Sequence, residues 1–551
     1  MATDLENIQR LLDRFKRPIP EGKEYQERLV EEFDLILKLR FTDYFLQICD
    51  IIDLTTDLTH MTRGSAGSSL ICYLLGITDV DPIKWKIPVA RFMNPLRDDL
   101  PDVDIDFEHW RQTEVMNRIF KKWPGMTARL SNYVTYKPKS AKREAAKRLG
   151  ATGRLPRNFS YESVGVDPKE ATRIERKLLG KKRAISKHCG GIVMFTRKLP
   201  KSLISEDNQI LLDKHEVEDL EHLKVDILAN RGLSQLLEID PHTGLADYPE
   251  YDEATSRLLC RGDVLGVTQG ESPAMRRLFR AIQPTSVYDC VFATAMVRPV
   301  AMSGRQKAAV FQDWSQETVE DSIVFEDDAI DIISSIIGVD MYEADMYRRA
   351  FAKKNDEKIL EFVERLGNNP RKAEAMTALQ ELSGFGLCRA HAVNLGRLIW
   401  ALAYQKAHNP ERFWAANLKH CQGSYRGWVY QCEAHRRGQL TEPGWWHRGF
   451  PPGLGVQQKF LERVNFAGVI ANGRTFRGKN GKYITFLTLG TNYGEYIDVT
   501  VQRPIQYRDG DIVAGSGVVR HSNNSDYINC IDAGVYSFRD WRRRCYGELD
   551  D

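Results

Sequence analysis

Residues 101–107 read PDVDIDF, with a carboxylate at every second position. In an extended strand alternate side chains point to opposite faces, so Asp102, Asp104 and Asp106 share one face and Val103, Ile105 and Phe107 the other. Carboxylates crowded in this way resist ionisation unless cations neutralise them, and hard oxygen ligands suit Mg²⁺ or Mn²⁺. The apolar second face argues for a strand packed on a core rather than a solvated acidic edge. A second run, LKVDILA over 223–229, sets Lys224 and Asp226 on one face between Leu223, Val225 and Ile227. In in-line phosphoryl transfer, two metals bridged by carboxylates activate the attacking hydroxyl and stabilise the leaving oxygen, while a nearby Lys neutralises phosphate charge. That chemistry requires the two strands to be neighbours. Upstream, TRGSAGSSL over 62–70 is a Gly/Ser-rich turn leading into the apolar run LICYLLGI, and the amides at such a helix start suit a triphosphate.

These residues must be carried by a large scaffold. With 551 residues, three or more packed units are expected, and 42% hydrophobic with 28% charged residues fits a globular enzyme. No apolar run is long enough to cross a bilayer, and the opening MATDLENIQRLL is acidic and periodic where a signal peptide is basic and unbroken, so a cytoplasmic protein is expected. The ten cysteines show no paired spacing, which predicts reduced thiols. A zinc site from His420, Cys421, Cys432 and His435 is disfavoured, because Cys432 and His435 fall on one polar helical pattern. The net charge of +3 conceals a basic block from Tyr136 to Arg183 and an acidic one from Glu317 to Asp331, and the basic block points to a polyanionic partner.

Periodicity predicts two leading helices, on Ile8, Leu11, Leu12 and Phe15 and on Leu29, Phe33, Ile36 and Leu37. Strands and tight loops are expected from Asp50 to Phe107, a basic and mostly helical insertion from Glu108 to Arg183, and strands again at 191–195 and 223–228. Helical patterns dominate from Leu233 to Arg437. After the Pro/Gly-rich stretch around Pro443-Gly444 and Pro451-Pro452-Gly453, the hairpin signal Asn480-Gly481 and runs at 483–489, 496–501, 512–519 and 527–531 predict about five strands. A small barrel of the oligonucleotide-binding (OB) kind is expected there. The class is α/β (α+β), multidomain.

The motifs RGSAGSSL, ITDVDP, RFMNPLR and LPDVDIDF stand in that order before Glu108. They are followed by KHCGGIVM, LKVDILA, TQGESPAMRRL, AMVRP, ADMYRRAFAKK and GFGLCRAHAVNLGRLIWALAYQKAHNP. From about Tyr25 to Gly438 this series resembles the bacterial C-family DNA polymerases, the alpha subunits of DNA polymerase III. The resemblance implies a palm with the nucleotidyltransferase fold of polymerase β, a helical thumb and fingers, and a C-terminal OB-type β-barrel. The boundaries expected are 1–107 for the leading helices and first part of the palm, 108–185 for the thumb and 186–232 for the second part of the palm. The fingers are expected over 233–440, a linker over 441–463 and the barrel over 464–540.

The resemblance implies DNA-templated transfer of nucleotides to a primer 3′-hydroxyl, with pyrophosphate released and two Mg²⁺ ions, or Mn²⁺, as cofactors. It points to Asp102, Asp104 and Asp226 as metal ligands, leaving Asp106 a supporting role. Gly64 and Ser65 would meet the triphosphate, and Arg91, Lys224, Arg348 and Arg349 match basic positions around the nucleotide, with His391 beside them. NYVTYKPKSAKREAAKRLG matches the thumb, making Lys137, Lys139, Lys142 and Arg143 candidates for phosphate contacts. In the barrel Arg474, Phe476, Lys479 and Tyr483 would meet single-stranded template.

Primer-template DNA and deoxynucleoside triphosphates are the implied partners of a monomer without membrane contact; a sliding clamp or other replisome protein would join them, although no clamp-binding peptide is evident. The family's N-terminal PHP domain, proofreading exonuclease, tandem helix-hairpin-helix region and clamp-loader tail find no counterpart, so a compact, phage-encoded form of low processivity is expected. Inside the motifs, Gly270 replaces a usual leucine, Val300-Ala301 a usual Gly-Pro and Glu326-Asp327 a usual Gln-Glu. Two alternatives stand beside this reading: a translesion or untemplated nucleotidyltransferase, and a catalytically silent DNA-binding scaffold.

Overall fold

The computed structural model describes residues 4–97, 101–156, 158–195, 198–213, 217, 223–298, 324–370, 372, 376, 379, 386–420, 423–441, 444, 453–460, 463–477, 481–491, 495–508, 510–522 and 525–546. Its first sheet is built from β1 (Met61–Arg63), β2 (Val103–Glu108), β3 (Thr127–Thr135), β4 (Lys182–Met194), β5 (Gln209–Asp213) and β6 (Leu223–Asn230), in the order β1-β2-β6-β4-β3-β5. The alternation read from the sequence sets its pleat. Val103, Ile105 and Phe107 of β2, with Leu223, Val225 and Ile227 of β6, are buried in one core with the helices Lys23–Leu39, Thr42–Asp53 and Gln112–Lys122. Burying each of these six side chains contributes about 1.5–3 kcal/mol. β2 and β6 run parallel while β4 is antiparallel to β6, so the edge of β6 away from the carboxylate strand is also paired.

Two sequence expectations need correction here. The stretch expected to be strands from Asp50 onward holds only β1 and β2, and a third leading helix, Thr42–Asp53, precedes it. Phe45, Ile48, Cys49 and Ile52 recur at helical spacing and are all buried, so core packing carries the helix into the segment read as extended. The basic insertion is also not wholly helical. β3 falls inside it yet pairs with β4 and β5 in the main sheet. Only the part after β3 leaves the sheet, as the helices Pro138–Arg148 and Pro168–Leu178 packed around Ala146, Phe159, Tyr161 and Ala171.

The Gly/Ser turn is locked from below by a buried carboxylate. Glu32, on the helix Lys23–Leu39, accepts hydrogen bonds from Ser69 Oγ (2.6 Å), Leu70 N (2.8 Å), Ile71 N (3.0 Å) and Arg28 Nε (2.7 Å). Removing it strands several buried donors and the Arg28 charge. Glu32→Ala is therefore expected to lower stability by about 3–5 kcal/mol, read from urea unfolding.

Among the described residues, the regular elements from Arg231 to Arg436 are helices. The helix Arg389–His408 is the axis of this region, buried along most of its length against the helices Arg231–Ile239, Glu253–Cys260 and Val287–Met296. The tail forms a second sheet from β7 (Gly455–Phe460), β8 (Arg463–Arg477), β9 (Tyr483–Gly490), β10 (Tyr496–Val501), β11 (Ile512–Ser522) and β12 (Ser525–Tyr536). β8 pairs with both β9 and β11, which closes β8-β9-β10-β12-β11 into a five-stranded barrel around Val464, Phe466, Leu487, Val499 and Ile528. β7 corrects the expectation of a linker over 441–463: Gly455–Phe460 pairs with the start of β8 and belongs to the barrel sheet. Among the described residues no helix is long and apolar enough to cross a membrane.

Candidate active site

The parallel register of β2 and β6 sets Asp104 directly beside Asp226, and Gly191 of β4 faces Asp226 from the other side. Lys224, two residues before Asp226 and on the same face, donates from Nζ to Asp102 Oδ1 and to Asp226 Oδ2, both at 3.2 Å. Asp226 Oδ1 is buried and accepts no hydrogen bond. His188 Nδ1 stands 3.6 Å from that oxygen and itself accepts from Gly191 N at 2.7 Å. Sequence reasoning gave His188 no role, since only its motif, not its spacing, signalled it. Burial, then the Asp226 and Asp102 charges, push the Asp104 carboxyl up to about 7. Burial alone would lower the Lys224 ammonium, but Asp102 and Asp226 outweigh it and raise it.

Carboxylate oxygens are hard donors of the kind that suit divalent cations. Asp102, Asp104 and Asp226 lie around Lys224, one ionising only reluctantly and one with a buried oxygen that accepts no hydrogen bond. Among the described residues no three His, Cys, Asp or Glu side chains are already gathered on one point, because Lys224 stands between Asp102 and Asp226. Asp106 does not join the others. It is fully buried and bonded to Arg63 and to Asn230 Nδ2 (2.8 Å), which ties β2 to β1 and to the end of β6.

The Gly/Ser turn lies against these carboxylates. Gly64 adopts φ +76, in the left-handed region, and a Cβ there would sit 3.4 Å from Asp104 Oδ2. Gly64 and Ser65 open a short 3₁₀ turn, Gly64–Ser68, rather than a long helix. The helix that follows, Leu70–Leu74, is only five residues long, and Glu32 already uses its first amides. The expected phosphate site at that helix start is thereby corrected: the backbone near Asp104 is that of Gly64 and Ser65, one turn earlier.

Two of the basic residues expected around the nucleotide, Arg91 and Arg348, meet on one acidic partner, Glu326. Arg91 donates to Glu326 Oε2 (2.8 Å) and lies 3.3 Å from Asp327 Oδ1. Arg348 bonds Asp345 (2.7 Å) and reaches the same Glu326 oxygen at 3.5 Å. Arg349 is half-buried on the same helix, Met341–Lys353. Glu326-Asp327, a departure from the family pattern, thus holds two of the expected phosphate-binding arginines, and Asp327 Oδ2 accepts from Arg389 N (2.6 Å). The other describable departure, Gly270, is steric: a Cβ there would meet Ile399 Cγ2 at 3.0 Å. Val300-Ala301 lies outside the described residues. His391, in the first turn of the helix Arg389–His408, is lowered to about 4 by burial and then by Arg63 and Arg298, so it is neutral at neutral pH.

The four thumb candidates divide. Lys137 and Lys139 are exposed at the start of the helix Pro138–Arg148. Lys142 and Arg143 turn inward, Lys142 to the Phe159 carbonyl (2.7 Å) and Arg143 to those of Leu155 and Pro156 (2.9 and 2.7 Å), where they brace the loop. On the barrel, Arg474 stacks 4.5 Å over Phe476, whose ring meets Phe486 edge-on at 5.8 Å, and Tyr483 is exposed nearby. Lys479 and Asn480 lie outside the described residues, as does Cys421; His420 Nε2 is 3.4 Å from Glu238.

Residues 5–229 match the bacterial DNA polymerase III alpha NTPase domain, and residues 232–373 match the bacterial DNA polymerase III alpha subunit finger domain. The chain is 30% identical over 480 residues to an error-prone DNA polymerase of Burkholderia mallei, covering 73% of this chain and 45% of that protein. It is 30% identical over 484 residues to an error-prone DNA polymerase of Rhodopirellula baltica, covering 76% and 42%. A DNA polymerase III subunit alpha of Halalkalibacterium halodurans is 29% identical over 455 residues, covering 72% and 41%. The chain spans less than half the length of these curated relatives, which are bacterial and lend a phage origin no support. With both stretches of the alpha-subunit pattern on one chain, around in-register carboxylates, the protein belongs to the bacterial C-family of DNA polymerases.

Proposed function

We propose that this chain is a DNA-directed DNA polymerase whose reaction centre is Asp102, Asp104 and Asp226. One observation carries the reading: Asp104 and Asp226 stand in register on parallel strands, one ionising reluctantly and the other with a buried oxygen left unbonded. Two divalent cations, Mg²⁺ or Mn²⁺, when bound would lower the pKa of the primer 3′-hydroxyl and neutralise charge on the triphosphate. Asp104 and Asp226 would hold them, with Asp102 at the exposed edge completing the set. Lys224, which bonds Asp102 and Asp226, would be available to a phosphate oxygen where cations take its place on those carboxylates. The Gly64-Ser65 backbone lies close enough to Asp104 to seat the triphosphate, and Arg91 and Arg348, drawn together by Glu326, approach it from the fingers side. Neutral His391 would serve there as a hydrogen-bonding group without adding charge.

Residues 136–181 would grip the primer-template duplex as the thumb, and the exposed Phe476, Tyr483 and Phe486 with Arg474 would stack single-stranded template on the barrel. Lys137→Ala/Lys139→Ala is expected to weaken duplex binding uniformly across sequences and to reduce the slope of log K against log salt by about 2, measured by fluorescence anisotropy. Extension of a labelled primer with four deoxynucleotides and Mg²⁺, beside Asp104→Ala, tests the whole reading. The names of the error-prone relatives favour a second one, synthesis across damaged template. Extension past an abasic site at a rate close to that on intact template would establish it.

A further inference from the structure

A recess of about 590 Å³ lies on the seam between the helical region and the barrel, well apart from the carboxylates in sequence and fold. Five arginines line it: Arg261, Arg276, Arg280, Arg436 and Arg437. The carboxylates in its wall are Asp263, Glu433 and Glu495. Two of these are already engaged, Asp263 by Lys406 (2.6 Å) and Arg437 (3.7 Å) and Glu433 by Arg436 (2.9 Å), which leaves Arg261, Arg276 and Arg280 without a carboxylate of the wall among the described residues. Arg261 and Arg280 form no ion pair among the described residues, and Arg280 Nε bonds only the Arg261 carbonyl (3.0 Å).

Arg276 is the second, independent sign of a ligand. Its side chain is only 6% exposed, its Nε is buried without a partner, and its one ion pair is a 3.4 Å approach to Asp498, which Arg277 holds more closely at 3.0 Å. A guanidinium buried in this way is under-satisfied. Burial and the Arg276 charge together lower the neighbouring Arg280.

We infer that this recess binds a compact polyphosphate, a diphosphate or triphosphate group either free or at the 5′ end of a nucleotide. Guanidinium forks match phosphate oxygens, and converging charges favour a compact anion over an extended strand. Nothing in the wall offers a base-stacking platform, since the Tyr496 side chain is packed against Arg276 and bonded to Glu433. The cleft on the other flank of the helix Pro273–Ile282, with exposed Phe476 and Phe486, has the stacking rings that a single strand requires. The recess joins two helices of the fingers side to β10, so a bound anion would fasten the barrel to the helical region.

Isothermal titration of the full chain with pyrophosphate, in EDTA and without DNA, reads this site apart from any metal-dependent binding at Asp104. One binding event is expected, weakened at least tenfold in Arg261→Ser/Arg280→Ser, with the milder Arg280→Gln as a second variant should the first fold poorly. A parallel arm with adenosine 5′-diphosphate distinguishes the sources: tighter binding than pyrophosphate assigns the site to a nucleotide, equal or weaker binding to free polyphosphate. Absence of binding, or unchanged affinity in both variants, overturns the inference. So does an oligo-dT whose affinity falls in the variants while pyrophosphate does not bind, which would make the recess part of a strand path.

Discussion

Asp104→Ala is expected to abolish primer extension, with kcat reduced by at least about 10³-fold while affinity for primer-template is retained. The size of the effect follows from the position of Asp104, beside Asp226 and within reach of the Gly64 turn, so that in the proposed reaction one side chain would serve both the cation pair and the triphosphate seat. Removing it also relieves repulsion among the carboxylates, so the variant should fold at least as well as the parent, which separates lost chemistry from lost structure. Asp106→Asn is the informative contrast. Its partners are Arg63 and Asn230, and it should act through stability more than through kcat. Equal extension by the Asp104→Ala variant and the parent would place the reaction elsewhere. No extension by either, with duplex binding intact, would favour the silent scaffold.

The second large effect couples pH to divalent ions. Unfolded, Asp104 ionises near the ordinary carboxylate value; folded and without metal, it does so at about 7. Between those two pH values the folded state carries the extra proton, so unfolding free energy falls as pH rises. The contribution is complete below the unfolded value and is lost as pH climbs through about 7. In EDTA, Tm should therefore decline from pH 5 to pH 8, and Asp104→Asn should flatten that decline. With Mg²⁺ the order reverses: the ion competes with the proton, so apparent metal affinity increases across the same range. A Tm that ignores both pH and Mg²⁺ would refute the pairing of Asp104 with a cation.

The faces of the two strands in the candidate site were legible because a strand has period two. PDVDIDF and LKVDILA reveal their faces without a partner, and the structure adds only that they are neighbours in register. Asp106 shows where that logic stops. Period two puts it with Asp102 and Asp104, but the depth of a residue along its strand depends on what covers it, and Arg63 and Asn230 lie on other strands. Glu32 was invisible for the same reason, being some forty residues from the amides it caps. Lys142 and Arg143 read as surface charge until the loop they brace is folded beneath them. The helix Thr42–Asp53 and β7 escape the sequence for other reasons: the helical period of Phe45, Ile48, Cys49 and Ile52 runs across the boundary expected at Asp50, and GVQQKF carries no alternation after a Pro/Gly-rich stretch.

The helix Arg389–His408 begins against the Gly64 turn, through Cys388 Sγ and the Gly64 carbonyl at 3.5 Å, and ends where Lys406 bonds Asp263 and Leu265. Twenty residues make a rod of about 30 Å. Fourteen of its residues are buried, so packing holds it along most of its length. Displacement of the first turn is therefore transmitted as a tilt of the whole rod rather than absorbed by bending. Asp263 is a wall of the arginine-lined recess, so one rod ties the Gly64 turn beside Asp104 to the seam on which the barrel sits.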